Sequence, residues 1–309
     1  MKVNKIGKKS ITAVNSLLNL MMTTIIIILL IFAGYALWDS NQIHYAADKS
    51  HYAVYKPTAE NEGKSFKELQ ALNEEVIAWL SVYGTNIDYP VTQGQNNMKY
   101  VDTNAEGRYS LSGAIFLDSN NSRYFNDFNS VLYGHHMAKK VMFGEIGNFS
   151  DENMFDSHRY GNLYFDGKDH GIEFFAFLHA DAYDTTVFAP GVNENYRQAY
   201  LDNLFAKARY TRDAGVTAED QIILLSTCSS DSTNGRDILI GKLTEETYED
   251  PFLNTKTNDG KEQTGTDGQS GFVKEIYRLE IILAALLIII ISIIYYTRKR
   301  ARRRCNKHE

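Results

Sequence analysis

The sequence predicts a mainly β domain, of barrel or sandwich type, held between two apolar segments of membrane length. Three observations predict it. Short runs at 87–92, 113–118, 130–136, 163–166, 172–182, 221–228 and 237–243 are rich in Ile, Val, Phe and Tyr. Gly, Asn, Asp and Ser bound them, as they bound short strands. Two stretches, 10–38 and 281–296, carry no charged residue. Between them stands a single cysteine, Cys228, at the end of a strand-like run.

The chain has 309 residues, room for one or two domains, and its net charge of −6 gives no sign of nucleic-acid binding. The first apolar stretch exceeds the roughly 20 residues that cross a bilayer. Lys2, Lys5, Lys8 and Lys9 precede it, which predicts a cytoplasmic N-terminus, 1–16, and a span at 17–38. The alternative is a cleaved signal peptide, with 33–36 as a small-residue site. The second stretch predicts a span at 279–297, with Tyr295 and Tyr296 at the interface. Arg298, Lys299, Arg300, Arg302, Arg303 and Arg304 mark 298–309 as a basic cytoplasmic tail.

The domain between the spans is then extracellular. Residues 39–64 read as a stalk, 65–250 as the domain and 251–278 as a linker, with almost no apolar residue over 254–271. Ser65 and Glu68 resemble a capping box. Leu69, Leu72, Val76 and Leu80 follow at helical spacing, predicting a helix that ends near Gly84. Tyr196, Tyr200, Leu204 and Ala208 predict a second helix within 193–210.

Cys228 lies outside and Cys305 inside, so they cannot pair within one chain. An unpaired thiol where disulfides normally form points to chemistry, the plainer reading being an inert buried cysteine. Alternation puts Ile222, Leu224, Ser226 and Cys228 on one face. Arg236 opens the next run after a seven-residue loop that closes on the turn signal Asn234-Gly235. Antiparallel pairing of the two runs sets Cys228 beside Arg236. The plainer reading of Arg236 is a solvated charge.

A thiol with its usual pKa near 8.5 needs an imidazole or a cation to act as a nucleophile at neutral pH. His135 and His136 stand at the end of another run, and alternation lets only one of them meet Cys228. A metal is the competing reading of a His pair, but no Cys/His cluster of metal spacing accompanies it.

Three motifs carry a family resemblance: 225–228 (Leu-Ser-Thr-Cys) with Arg236 opening 237–243; 133–137 (Tyr-Gly-His-His-Met) with 142–145; and 79–94 followed by 113–118. Together they resemble sortases of class B, over about residues 65–245. The resemblance implies an eight-stranded β-barrel with N-terminal helices and a long helix before the cysteine strand. It implies a cysteine transpeptidase acting on C-terminal sorting signals, with no cofactor. Carried over, Cys228 is the nucleophile, His135 the general acid/base and Arg236 the oxyanion and substrate clamp. Ser226, Asn97 and Val101 match groove positions. The implied partners are surface proteins or pilins bearing the signal, and an amine from a pilin lysine or peptidoglycan, at the membrane.

Two departures are visible. A C-terminal span resembles pilus-assembling members rather than anchoring ones, and Ser229 stands where an acidic residue often follows the cysteine. A reading of another class is a doubly anchored scaffold on a catalytically dead fold.

Overall fold

A computed structural model of the chain describes residues 3–58, 63–228 and 234–253. The predicted linker beyond 253, second span and basic tail lie outside the described residues. Helix α1, Val3–Ala46, opens the chain; from Ser10 it is apolar and long enough to cross a membrane. Two 3-10 turns, Lys49–His51 and Ala53–Tyr55, and helix α2, Lys64–Leu72, follow.

Among the described residues nine strands form one sheet. They are β1 (Val76–Val82), β2 (Asp88–Thr92), β3 (Ile115–Leu117), β4 (Asn129–Tyr133), β5 (Tyr160–Phe165), β6 (Lys168–Asp181), β7 (Ala208–Thr211), β8 (Ile222–Cys228) and β9 (Gly235–Thr244). Their order is β5-β1-β2-β3-β4-β8-β9-β6-β7, and β5 also pairs with β6. That last pairing closes eight strands into a barrel and leaves β7 as a short flap on β6. Closure removes the free edges that would otherwise template aggregation.

Alternation along the strands makes two cores. Inside the barrel pack Leu80, Val91, Leu132, Phe174, Ile223, Leu225 and Leu239. On the outside, Val131, Leu178, Leu224 and Ile240 pack beneath the late helix, Arg197–Lys207, through its Tyr200, Leu201 and Leu204. Strand β8 is buried on both faces from Ile222 to Thr227, which explains its unbroken apolar run. It pairs parallel with β4 on one side and antiparallel with β9 on the other.

The structure corrects the expected first helix. It begins at Lys64 on Gly63 rather than on a Ser65 cap, and the Ser65 hydroxyl instead donates to the Lys56 carbonyl at 3.1 Å. It ends at Leu72, which is exposed, and Val76 and Leu80 belong to β1. Every position of β1 is buried, so no polar alternation marked it as a strand. The late helix also stops one residue short of Ala208, which opens β7. Nor is the stretch read as a stalk wholly free: Ala47 and Tyr52 are buried in the main core, and the Tyr89 hydroxyl donates to the Ala47 carbonyl at 3.0 Å.

Asp88 ties this entry segment to the barrel. Its carboxylate accepts from Trp79 Nε1 at 2.8 Å and Ser81 Oγ at 2.7 Å, and pairs with Lys56 Nζ at 2.7 Å. Burial alone raises a carboxyl pKa, but the Lys56 charge and the three donors outweigh it and hold Asp88 below its usual value. A depressed folded pKa gives stability that is present above the unfolded value, about 3.9, and is lost as pH falls through the folded one. Acid unfolding followed by tryptophan fluorescence is therefore expected to be steeper below about pH 4 in the wild type than in Asp88→Asn. Identical acid limbs would show that this cluster contributes nothing.

Candidate active site

The register of three strands builds the site. Cys228, the last residue of β8, is the direct partner of Arg236 near the start of β9. On the other side, Tyr133 of β4 pairs with Ser226, and the Gly134 N–H donates to the Ser226 carbonyl at 3.2 Å. The pairing is parallel, so His135, two residues past Tyr133, leaves the strand in the same direction as Cys228, two past Ser226. Neighbouring strands lie about 4.8 Å apart, which sets Cys228 beside Arg236. Alternation assigns Cys228 and Arg236 to the outer face, the face of Leu224 and Ile240. A cleft of about 360 Å³ opens there, and Asn97, Val101, His135, Ser226, Cys228 and Arg236 all line it. Every site residue expected from the sequence thus meets in one cavity.

His135 is held from both sides. Its Nε2 lies 2.7 Å from the Val101 carbonyl oxygen. A carbonyl only accepts, so Nε2 carries the hydrogen and Nδ1 stays open for proton exchange. Gly113, at φ +59°, lets the chain pass beside that carbonyl; a Cβ there would sit 2.7 Å from the Val101 oxygen. The His135 carbonyl in turn accepts from the Phe143 N–H at 3.1 Å. β4 ends at Tyr133, so alternation does not decide between the two histidines. Instead His136 is exposed, bridges Met142 and does not line the cleft.

Cys228 is exposed and free. Arg236 is half-buried and donates to the Gly235 carbonyl at 2.9 Å. Among the described residues no carboxylate pairs with it, which leaves most of its donors for a ligand. Ser226 Oγ is buried without a hydrogen-bond partner, an unusual state for a hydroxyl in a cleft wall.

The sequence reading missed the groups that shape the cleft. Tyr133 and Phe188 also line it, with ring centres 6.2 Å apart. Burial and the Asp118 carboxylate hold the Tyr133 phenol well above its ordinary pKa, so it stays protonated. Phe188 rides on a loop fastened by Asn129, which is fully buried. Asn129 Nδ2 donates to the Ala189 carbonyl at 2.7 Å and Oδ1 accepts from the Val192 N–H at 2.8 Å. Asn129 and Asp118 sit among turn-type residues, and nothing in their neighbours announces that they are buried.

A thiol flanked by an imidazole and an arginine in an open cleft is the equipment of a cysteine enzyme that transfers acyl groups. Comparison with known proteins narrows the class. No protein-family model matches the chain. The structure is similar to the sortase B from the type II pilus of Streptococcus pneumoniae, at 46% identity and TM-score 0.52, covering 59% of this chain and 99% of that one. It is also similar to a Streptococcus pyogenes class B sortase involved in pilus biogenesis, at 39% identity and TM-score 0.54, covering 59% of this chain and 99% of the other. The sequence is 26% identical to Staphylococcus aureus sortase B over 241 residues, 73% of this chain and 96% of that protein. The chain belongs to the class B sortases and is a cysteine transpeptidase.

Gly134 offers a test of how tightly the histidine is placed. A Cβ there would lie 2.7 Å from the Phe143 ring. Gly134→Ala should push His135 out of line, and a displacement near 1 Å costs about 10²-fold in rate. Shortening the obstacle with Phe143→Leu should restore much of the peptide-cleavage rate in the double variant. A double variant no faster than Gly134→Ala would contradict this geometry.

Proposed function

We propose that this sortase is anchored in the membrane, works on its outer side, and joins sorting-signal proteins to a pilin lysine through a Cys228 thioester. The observation that supports the reading is that Cys228, His135 and Arg236 line one cleft. The same observation argues against a dead scaffold. The likeness to two pilus-associated class B sortases favours a pilin lysine over a peptidoglycan amine. So does the second apolar segment, 281–296, followed by its basic cluster. Helix α1 fits the role of anchor: about 20 residues cross a bilayer, and the rest reaches the domain. Near its end Asn41 accepts from Lys139 Nζ at 3.0 Å, close in sequence to the histidine loop. Both termini are then cytoplasmic.

The steps follow from the donors present. His135 Nδ1 takes the Cys228 proton, and the thiolate attacks the scissile threonine carbonyl. Arg236 stabilises the oxyanion that develops. The protonated His135 returns the proton to the leaving amine as the C–N bond breaks, leaving the thioester. An incoming lysine amine attacks the thioester and passes its proton to His135, and Cys228 leaves as thiolate. Asn97, Val101 and Ser226 line the groove in which the sorting peptide lies.

Mass spectrometry of the acyl-enzyme captured in cells is expected to find a peptide ending in threonine on Cys228, and none in Cys228→Ala. The product should carry an isopeptide bond from that threonine to a pilin lysine. A bond to a peptidoglycan amine would contradict the choice of acceptor but not the mechanism.

Arg236→Lys keeps the charge and loses the planar fork of donors. Loss of one oxyanion donor costs about 10²–10³-fold in kcat, and a loss of that order is expected here. A kcat/KM near the wild-type value would reduce Arg236 to a distant charge.

A further inference from the structure

Behind the cleft lies a carboxylate that the mechanism does not use. Asp118 is buried at the end of β3 and does not itself line the cavity. Among the described residues no Lys or Arg pairs with it, yet four donors converge on its two oxygens. Oδ1 accepts from the Asn120 N–H at 2.9 Å and Asn120 Nδ2 at 3.0 Å. Oδ2 accepts from the Tyr133 hydroxyl at 3.0 Å and Asn97 Nδ2 at 2.8 Å. The last two groups are cleft-lining residues.

Sharing one oxygen fixes what each of them can offer. The Tyr133 hydroxyl spends its only hydrogen on Asp118, so its oxygen faces the cleft as an acceptor. Asn97 is locked at both ends: Nδ2 donates to Asp118, and Oδ1 accepts from the Ser119 N–H at 2.7 Å. Its second N–H has no partner among the described residues. In an extended peptide the N–H and the carbonyl of one residue point to the same edge, and an acceptor and a donor held side by side on one carboxylate oxygen match that pair: the N–H meets Tyr133 and the carbonyl meets Asn97.

We propose that Asp118 is a positioning residue that sets Tyr133 as acceptor and Asn97 as donor for the N–H and carbonyl of one residue of the sorting peptide. This deepens the transpeptidase reading and rests on it. Asp118→Ala removes the shared acceptor. The Tyr133 hydroxyl is then free to turn its hydrogen elsewhere, and Asn97 keeps only its contact with the Ser119 N–H.

The test uses the full chain in detergent and an internally quenched peptide built on the sequence found on Cys228. A set of variants of this peptide replaces one backbone N–H at a time by an ester oxygen. One lost hydrogen bond to a substrate is worth about ten-fold in binding. With the wild type, one ester position should raise KM by about that factor. With Asp118→Ala, KM for the all-amide peptide should rise about ten-fold, and the ester penalty should vanish. Alkylation of Cys228 by iodoacetamide, which needs no groove, should keep its wild-type rate. Tyr133→Phe should erase the same ester penalty, so the proposal remains testable if Asp118→Ala fails to fold. An ester penalty that survives in either variant overturns the proposal. So does an Asp118→Ala enzyme whose alkylation rate falls in step with its peptide kinetics, which would mark a merely structural role. A wild type that acylates Cys228 but shows no ester penalty overturns this assignment alone, whereas a wild type that never acylates overturns the reading beneath it.

Discussion

The catalytic rim depends on the hydrogen-bonded register of β8 with its two neighbours. Seven consecutive β8–β9 pairs end on Cys228 and Arg236. Five parallel β4–β8 pairs end on Tyr133 and Ser226, two residues short of His135 and Cys228. A slip of one residue on either side would turn the flanking group to the opposite face. Burial of β8 on both faces makes such a slip costly, because it would carry Ile223 and Leu225 out of the barrel core and Leu224 into it. The chemistry therefore draws its precision from the packing of a strand buried on both faces.

Around this rim, polar groups do what strands cannot. The Val101 carbonyl fixes the tautomer of His135, Asn129 fastens the loop that carries Phe188, and Asp118 collects the donors behind the groove. Each is buried or half-buried and most of its hydrogen bonds run to backbone or to short side chains. Such networks hold a site rigid when every member is satisfied. Among the described residues they leave Ser226 Oγ without a partner, and Arg236 with donors beyond its one bond to the Gly235 carbonyl, in the wall of the cavity.

How much of this could be read beforehand varied with the physics behind each residue. Cys228 and Arg236 were legible because a strand, a loop of known length and a second strand fix their pairing. His135 was legible only through its motif, since β4 stops before it and the alternation argument no longer applies. The run of short strands pointed to a barrel or a sandwich and the resemblance to the barrel, but β1 was hidden. Its seven positions are all buried, so its Val76 and Leu80 fell in step with the helical stripe of Leu69 and Leu72. Asp118 and Asn129 were illegible for the opposite reason. Each is a turn-type residue by its neighbours, and only the closed barrel shows that it is enclosed.

The central claim is that His135, and not His136, exchanges the proton between Cys228 and the reacting amines, since only His135 lines the cleft with the thiol. Cleavage of the sorting peptide by His135→Ala and by His136→Ala tests it most directly, because both variants keep Cys228 and Arg236. The account predicts a loss of about 10²–10⁴-fold in kcat for His135→Ala and a kcat near the wild-type value for His136→Ala. A kcat unchanged by His135→Ala, or a larger loss in His136→Ala, would contradict it.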